Sequence, residues 1–199
     1  MRCACEGWSR SGTDGGCASA RPASGTISTQ LLLELSDDPG VVRRYLADLH
    51  DVRMLLEPEI AARAAIQADP VQLARLRASL AEMRRLESDP DAYVEIDLAF
   101  HRDLAAAANN VVLAFVLDSV GELLRVSRRV TNMLGSLSDV TDAHAKIVDA
   151  VAAREPEAAR QAMRAHLLTV TGVWVLEEAE AQVEAAISRG GWNGNSRGR

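Results

Sequence analysis

Residues 41–68 read VVRRYLADLHDVRMLLEPEIAARAAIQA. Val42, Tyr45, Leu46, Leu49, Val52, Leu56 and Ile60 recur mostly at steps of three and four. That spacing keeps a stripe on one face of an α-helix, whereas a half-buried strand needs alternation of period two. The run Ile60-Ala61-Ala62-Arg63-Ala64-Ala65 continues it with alanine, the strongest helix former. A long helix is therefore expected from Val41 to about Ala68. Pro58 lies inside it and should kink or bend it, because proline removes a backbone donor and crowds the preceding turn.

The same reading extends both ways. Upstream, a short segment, Gln30 to Leu35, ends at Ser36-Asp37-Asp38-Pro39-Gly40. Downstream, Asp69-Pro70 starts a second helix, with Asp as cap and Pro at the first position. Its stripe is Leu73, Leu76, Leu80, Met83 and Leu86. Ser88-Asp89-Pro90 makes the next break. A third helix is expected from Asp91 to Ala108, interrupted by Asn109-Asn110. A fourth runs from Val111 to about Met133, closed by Gly135-Ser136. A fifth runs from near Ser138 to near Arg154. Glu155-Pro156 opens the last, expected to continue to Ile187. No stretch alternates with period two, and no internal repeat is visible. The expected fold is all-α, an antiparallel bundle of six to seven helices with short connections, spanning residues 27–187.

Composition agrees. Apolar residues make up 48% of the 199-residue chain, enough for one sizeable core, while aromatics are only 4%. Residues 1–26 and 188–199 are rich in Gly, Arg, Ser and Trp, lack periodicity, and read as disordered ends. Cys3, Cys5 and Cys17 lie in the first of these, an odd number with no fourth ligand nearby for zinc, so they read as exposed thiols. The net charge of −6 argues against this chain alone gripping a phosphate backbone. No apolar run is long enough for a membrane span, and Met1 to Ala20 lacks a signal-like stretch, so the cytoplasm is the default compartment.

The chemistry concentrates in histidine. Of His50, His101, His144 and His166, the last three sit on or beside apolar helical stripes. Asp97 precedes His101 by four residues, placing carboxylate and imidazole on one face with Cβ atoms roughly 5–6 Å apart. His144 has Ile147, Val148 and Val151 beside it, and His166 has Met163, Leu167 and Val170. In an antiparallel bundle three helices can aim these groups into one interior. Three imidazoles and a carboxylate suit zinc first, with nickel, cobalt or manganese as alternatives, and leave a position for water or an anion. The competing reading is a set of hydrogen-bonded core histidines, because sequence spacing does not fix convergence in space.

Residues 48–167 resemble the FCD domain, the effector-binding domain of the FadR subfamily of GntR transcription regulators. The resemblance is carried by Leu49-His50-Asp51-Val52-Arg53, Leu56-Glu57-Pro58, Asp97-Leu98-Ala99-Phe100-His101, Leu104-Ala105-Ala106, Asn110, the run from His144 to Val151, Ala158-Ala159, and Met163-Arg164-Ala165-His166-Leu167. It implies a divalent transition metal held by Asp97, His101, His144 and His166. It also implies a small organic acid effector bound beside the metal and a homodimer. Arg53 matches a pocket-facing arginine, suited to pairing a carboxylate through its planar fork. The alternative for Arg53 is an ion pair with Glu57, four residues on. Asn110 matches a pocket-edge position. There the family usually has a small residue and Gly ahead of the Asn, and this chain has Ala108 and Asn109. His50 falls outside the metal pattern and is expected to be partly exposed.

Family members usually carry a winged helix-turn-helix ahead of this domain. Residues 1–52 show no recognition helix with base-reading side chains, so DNA is expected to be reached only through a head not present in this chain. The expected function is an effector- and metal-binding regulatory domain, not an enzyme. The alternative is a metal-dependent hydrolase or lyase on a helical bundle. That reading needs a general base near the metal. Glu95 lies two residues from Asp97, on another face, and no other acidic residue looks convincingly placed.

Overall fold

The computed structural model describes residues 39–171, with side chains from 44 to 169 except 122, 126, 130, 133 and 134. The expectations for residues 1–26, Gln30 to Leu35, the extension of the last helix to Ile187, and the tail 188–199 lie outside the described residues. Seven helices occupy the described chain: α1 Pro39–Gln67, α2 Pro70–Arg85, α3 Pro90–Ala107, α4 Val111–Ser119, α5 Gly121–Leu134, α6 Leu137–Ala152 and α7 Pro156–Thr171. None is long and apolar enough to cross a membrane.

Local chemistry sets most boundaries. Asp69 Oδ1 accepts from the Gln72 backbone N at 2.7 Å, while Gln72 Oε1 accepts from the Asp69 backbone N at 2.9 Å. This reciprocal capping box, with Pro70 behind it, starts α2. Asp89 and Ser136 cap α3 and α6 in the simpler way. Asn109 has φ 49°. That left-handed conformation ends a helix and normally asks for Gly, with Asn the next best residue. Asn109 thus does the work of the glycine usual at that position.

The expected fourth helix is two helices. Val120, at φ −100° and ψ 11°, separates α4 from α5. Ser119 Oγ donates to the Val116 carbonyl at 2.6 Å, and Gly121 follows with its low helix propensity. The joint frees α5 to take its own direction against α3.

α1 remains one helix through Pro58 and packs chiefly on α7. Ala61, Ala64, Ala65 and Ala68 are all buried there, short side chains that let two backbones approach closely. Ile60, Leu76, Tyr93, Phe100, Leu104, Ile147, Met163 and Leu167 fill the centre. Within the expected α1 stripe, Val52 is 39% exposed. Seven positions spread over more than one face of a 3.6-residue helix, and Val52 falls at the rim.

Candidate metal centre

Five helices contribute to one polar cluster in this interior. α1 brings Arg53 and Glu57, α3 Asp97 and His101, α5 Arg128, α6 His144 and α7 His166. All are buried. The Asp97 and histidine side chains sit on the core-facing sides of their helices because neighbours at three and four residues are core residues: Val94, Leu98 and Leu104 around the α3 pair, Ile147 and Val148 by His144, and Met163 by His166.

One ligand atom from each of His101, His144 and His166 falls within a 4.8 Å span. His101 Nε2 and His144 Nε2 are 3.2 Å apart. Asp97 Oδ1 is 3.0 Å from His144 Nε2 and 3.8 Å from His101 Nε2. The His144 and His166 ring centroids are 4.2 Å apart. Donors bound about 2.1 Å from one ion stand roughly 3.0–3.4 Å from each other; the 3.0 and 3.2 Å separations match that spacing and the 3.8 Å one is wider.

Protonation sharpens the point. His144 Nδ1 is 2.8 Å from the Val140 carbonyl oxygen, which only accepts, so Nδ1 carries the hydrogen and Nε2 a lone pair. His101 Nδ1 is 2.6 Å from Glu57 Oε2. The contact is close but off-line, and Oε2 has no other donor. Beside that carboxylate Nδ1 carries a hydrogen, and Nε2 faces the Nε2 of His144. Two ring nitrogens and a carboxylate oxygen therefore converge within 3.0–3.8 Å. A cation suits that convergence, whether a proton shared between the groups or a metal ion. His166 Nδ1 is buried without a hydrogen-bond partner, a further donor atom seeking an acid.

Burial favours the neutral ring at His144 and at His166. Burial lowers His144 well below the ordinary histidine value, and His101 adds to that effect. Burial also lowers His166 strongly, with His144 and His101 beside it. Burial pushes the Glu57 carboxyl up, but Arg53, the His101 ring and Arg128 together hold it well below the carboxylate range. The fixed charges are Arg53 and Arg128 against Glu57 and Asp97, which balance.

The structure thus brings together Asp97, His101, His144 and His166. Arg53 Nε donates to Glu57 Oε1 at 2.7 Å, the ion-pair alternative, buried rather than on the surface. Asn110 is the N-cap of α4, its Oδ1 accepting from the Val112 and Leu113 backbone N, both at 3.1 Å. Only its amide nitrogen is left to meet a ligand. His50 is buried, contrary to the partly exposed position expected, because it follows Leu49 on the face of α1 that packs inward. Glu95 pairs with Arg125 away from the cluster.

Two residues escaped the sequence reading. Glu57 is a second acidic residue at the site, where only Asp97 was expected; its i, i+4 relation to Arg53 was visible, but its contact with His101 crosses from α1 to α3. Its carboxylate is ionised against Arg53 and backs the His101 ring, so it positions His101. Arg128 pairs through Nε with Asp97 Oδ2. No sequence pattern singles it out among the arginines of α5.

Comparison with known proteins identifies the family. The FCD domain family matches residues 48–169. The chain is 33% identical over 153 residues to the HTH-type transcriptional regulator LutR of Bacillus subtilis, covering 74% of this chain and 66% of that protein. It is 30% identical over 138 residues to the putative L-lactate dehydrogenase operon regulatory protein of Escherichia coli, covering 67% of this chain and 51% of that one. Among solved structures it resembles a Streptococcus agalactiae GntR protein, with TM-score 0.57 and 27% identity over 65% of this chain and 58% of that chain. The chain spans between about half and two thirds of these relatives' lengths. The relatives are transcription regulators, not hydrolases or lyases. The chain belongs to the FCD domain family of GntR-type transcription regulators.

Proposed function

We propose that this chain is an effector-binding regulatory domain that holds one divalent transition metal on Asp97, His101, His144 and His166, zinc first among the candidates. The carrying observation is the convergence of three buried donor atoms, with His101 Nε2, His144 Nε2 and Asp97 Oδ1 at 3.0–3.8 Å. The backing of two of the three rings from behind, His101 by Glu57 and His144 by the Val140 carbonyl, is the kind of second layer such sites carry. When bound, the metal supplies a Lewis acid with a coordination position left for an anion.

The effector class follows from charge. The site's fixed charges cancel, so a divalent ion leaves an excess of positive charge in a buried place, and an anion offsets it. A small organic acid fits. The E. coli relative is named for an L-lactate dehydrogenase operon; lactate is a 2-hydroxy acid, whose carboxylate and hydroxyl can chelate one metal. Arg53, anchored on Glu57 through Nε, and the Asn110 amide are the further contacts assigned to this effector. In a complete regulator, working as a homodimer, effector binding would shift helix packing and so reposition DNA-reading heads. The test is metal content per chain by mass spectrometry, on wild type and His144→Ala purified without a metal-affinity tag. About one transition metal per chain, lost in the variant, supports the reading. No metal in wild type after reconstitution with zinc overturns it.

A further inference from the structure

α5 carries a row of buried donors with nothing to donate to. Arg128 is 3% exposed and Asn132, one turn on and on the same face, is 7% exposed. Arg128 Nη1 and Nη2 and Asn132 Nδ2 are all buried without hydrogen-bond partners among the described residues. Leaving such groups unpaired is costly, most of all for a charged guanidinium. The deficit is one-sided: three donor nitrogens want acceptors, and an anionic or carbonyl oxygen would satisfy each. Asp97 locates the row. Its Oδ1 faces the histidine nitrogens, while its Oδ2 pairs with Arg128 Nε. One carboxylate therefore joins the histidine cluster to the base of the guanidinium, whose outer two nitrogens are the unpaired ones.

We propose that Arg128 and Asn132 form a second carboxylate-binding subsite, so that the effector is a dicarboxylate with one acidic end on the metal and the other on α5. The inference rests on the metal-and-acid reading above and deepens it. Arg128 offers the planar pair of N–H groups that a carboxylate accepts in two-pronged fashion, with Asn132 one turn away for a second oxygen. The charge excess also fits. Cancelled fixed charges plus a divalent ion call for two negative charges, which a dicarboxylate brings and a monocarboxylate does not.

L-Lactate and L-malate make a matched pair, since malate is lactate with a carboxylate on its methyl carbon. Isothermal titration of the zinc-loaded full chain with each acid tests the subsite. Wild type is expected to bind malate at least roughly tenfold more tightly than lactate, the scale of one charge-assisted pair. Arg128→Lys keeps the charge and loses the fork. Asn132→Leu keeps the volume, loses the amide and touches no metal ligand. Asn132→Leu should reduce the malate preference while lactate affinity and zinc content hold, and Arg128→Lys should lower the ratio of malate to lactate affinity. Equal affinity for the two acids in wild type, or an unchanged malate preference in both variants, overturns the subsite. Failure of zinc-loaded wild type to bind either acid would instead sink the underlying effector reading.

Discussion

Replacing Glu57 by glutamine tests how the site holds its protonation pattern. Glu57 is 1% exposed and serves two donors, Arg53 Nε at 2.7 Å and His101 Nδ1 at 2.6 Å. Glutamine offers one carbonyl oxygen and one NH2 group. If the oxygen stays on Arg53, the NH2 faces His101 Nδ1, and the imidazole must give up its hydrogen there. The hydrogen then moves to Nε2, the atom assigned to the metal. If the amide turns over, Arg53 faces a donor instead and is left as an unpaired buried cation. Either arrangement breaks a buried ion pair, which costs roughly 3 kcal/mol or more. Against total stabilities of about 5–15 kcal/mol, that is a large loss. Loss of a residue that orients a metal-bound histidine typically weakens metal binding about 10–100-fold. Urea unfolding of the metal-free protein and zinc titration against a chelating dye measure the two effects separately. A Glu57→Gln protein with wild-type zinc affinity would refute the assignment of the His101 tautomer, whatever its stability.

Other outcomes follow from the same structure. The metal-free protein should lose stability as pH falls below about 6.5, the ordinary histidine value, because His144 and His166 are held well below it when folded. The unfolded chain then binds the extra protons, at a cost of up to about 1.4 kcal/mol per histidine for each pH unit. Glu57, also lowered, adds a loss of the same sign at still lower pH. Thermal unfolding with one midpoint from pH 7.5 to pH 5 would contradict this. Gly121→Ala should stabilise the protein by about 0.4–1 kcal/mol, since Gly121 is helical and an added Cβ meets nothing within 4 Å. A lower denaturation midpoint would mean that the α4–α5 joint needs the glycine.

The fold was legible because its signals are local. Asp69-Pro70, Ser88-Asp89-Pro90 and Glu155-Pro156 each end one helix and preset the next, and the stripes through Leu76, Met83, Ile147 and Met163 mark the core faces. The break at Val120 was not legible, because Ser119 and Gly121 each lower helix propensity only slightly and their joint effect depends on packing. The four expected metal ligands were readable as histidines on apolar stripes plus an i, i+4 carboxylate. Glu57 and Arg128 were not, since their roles lie in contacts between helices far apart in sequence: α1 to α3 and α5 to α3. A charged residue on a helix is ordinarily solvated, and only the third dimension shows that these two are enclosed.

The site also bears on how binding could be felt elsewhere. α1, α6 and α7 are locked together by short alanine side chains and buried aliphatics. α5 is held differently: it lies chiefly against α3, after the Val120 joint, and is tied to it by the Arg128–Asp97 and Arg125–Glu95 ion pairs. A ligand shifts an arrangement only by preferring one form over another. The alanine-packed helices have little room for a second form without opening voids. α5 has more, because its polar ties to α3 can be remade at less cost than a packed core. Whatever occupies the Arg128 fork would therefore act first on the position of α5, and the helix carrying the unpaired donors is the one best placed to move when they are paired.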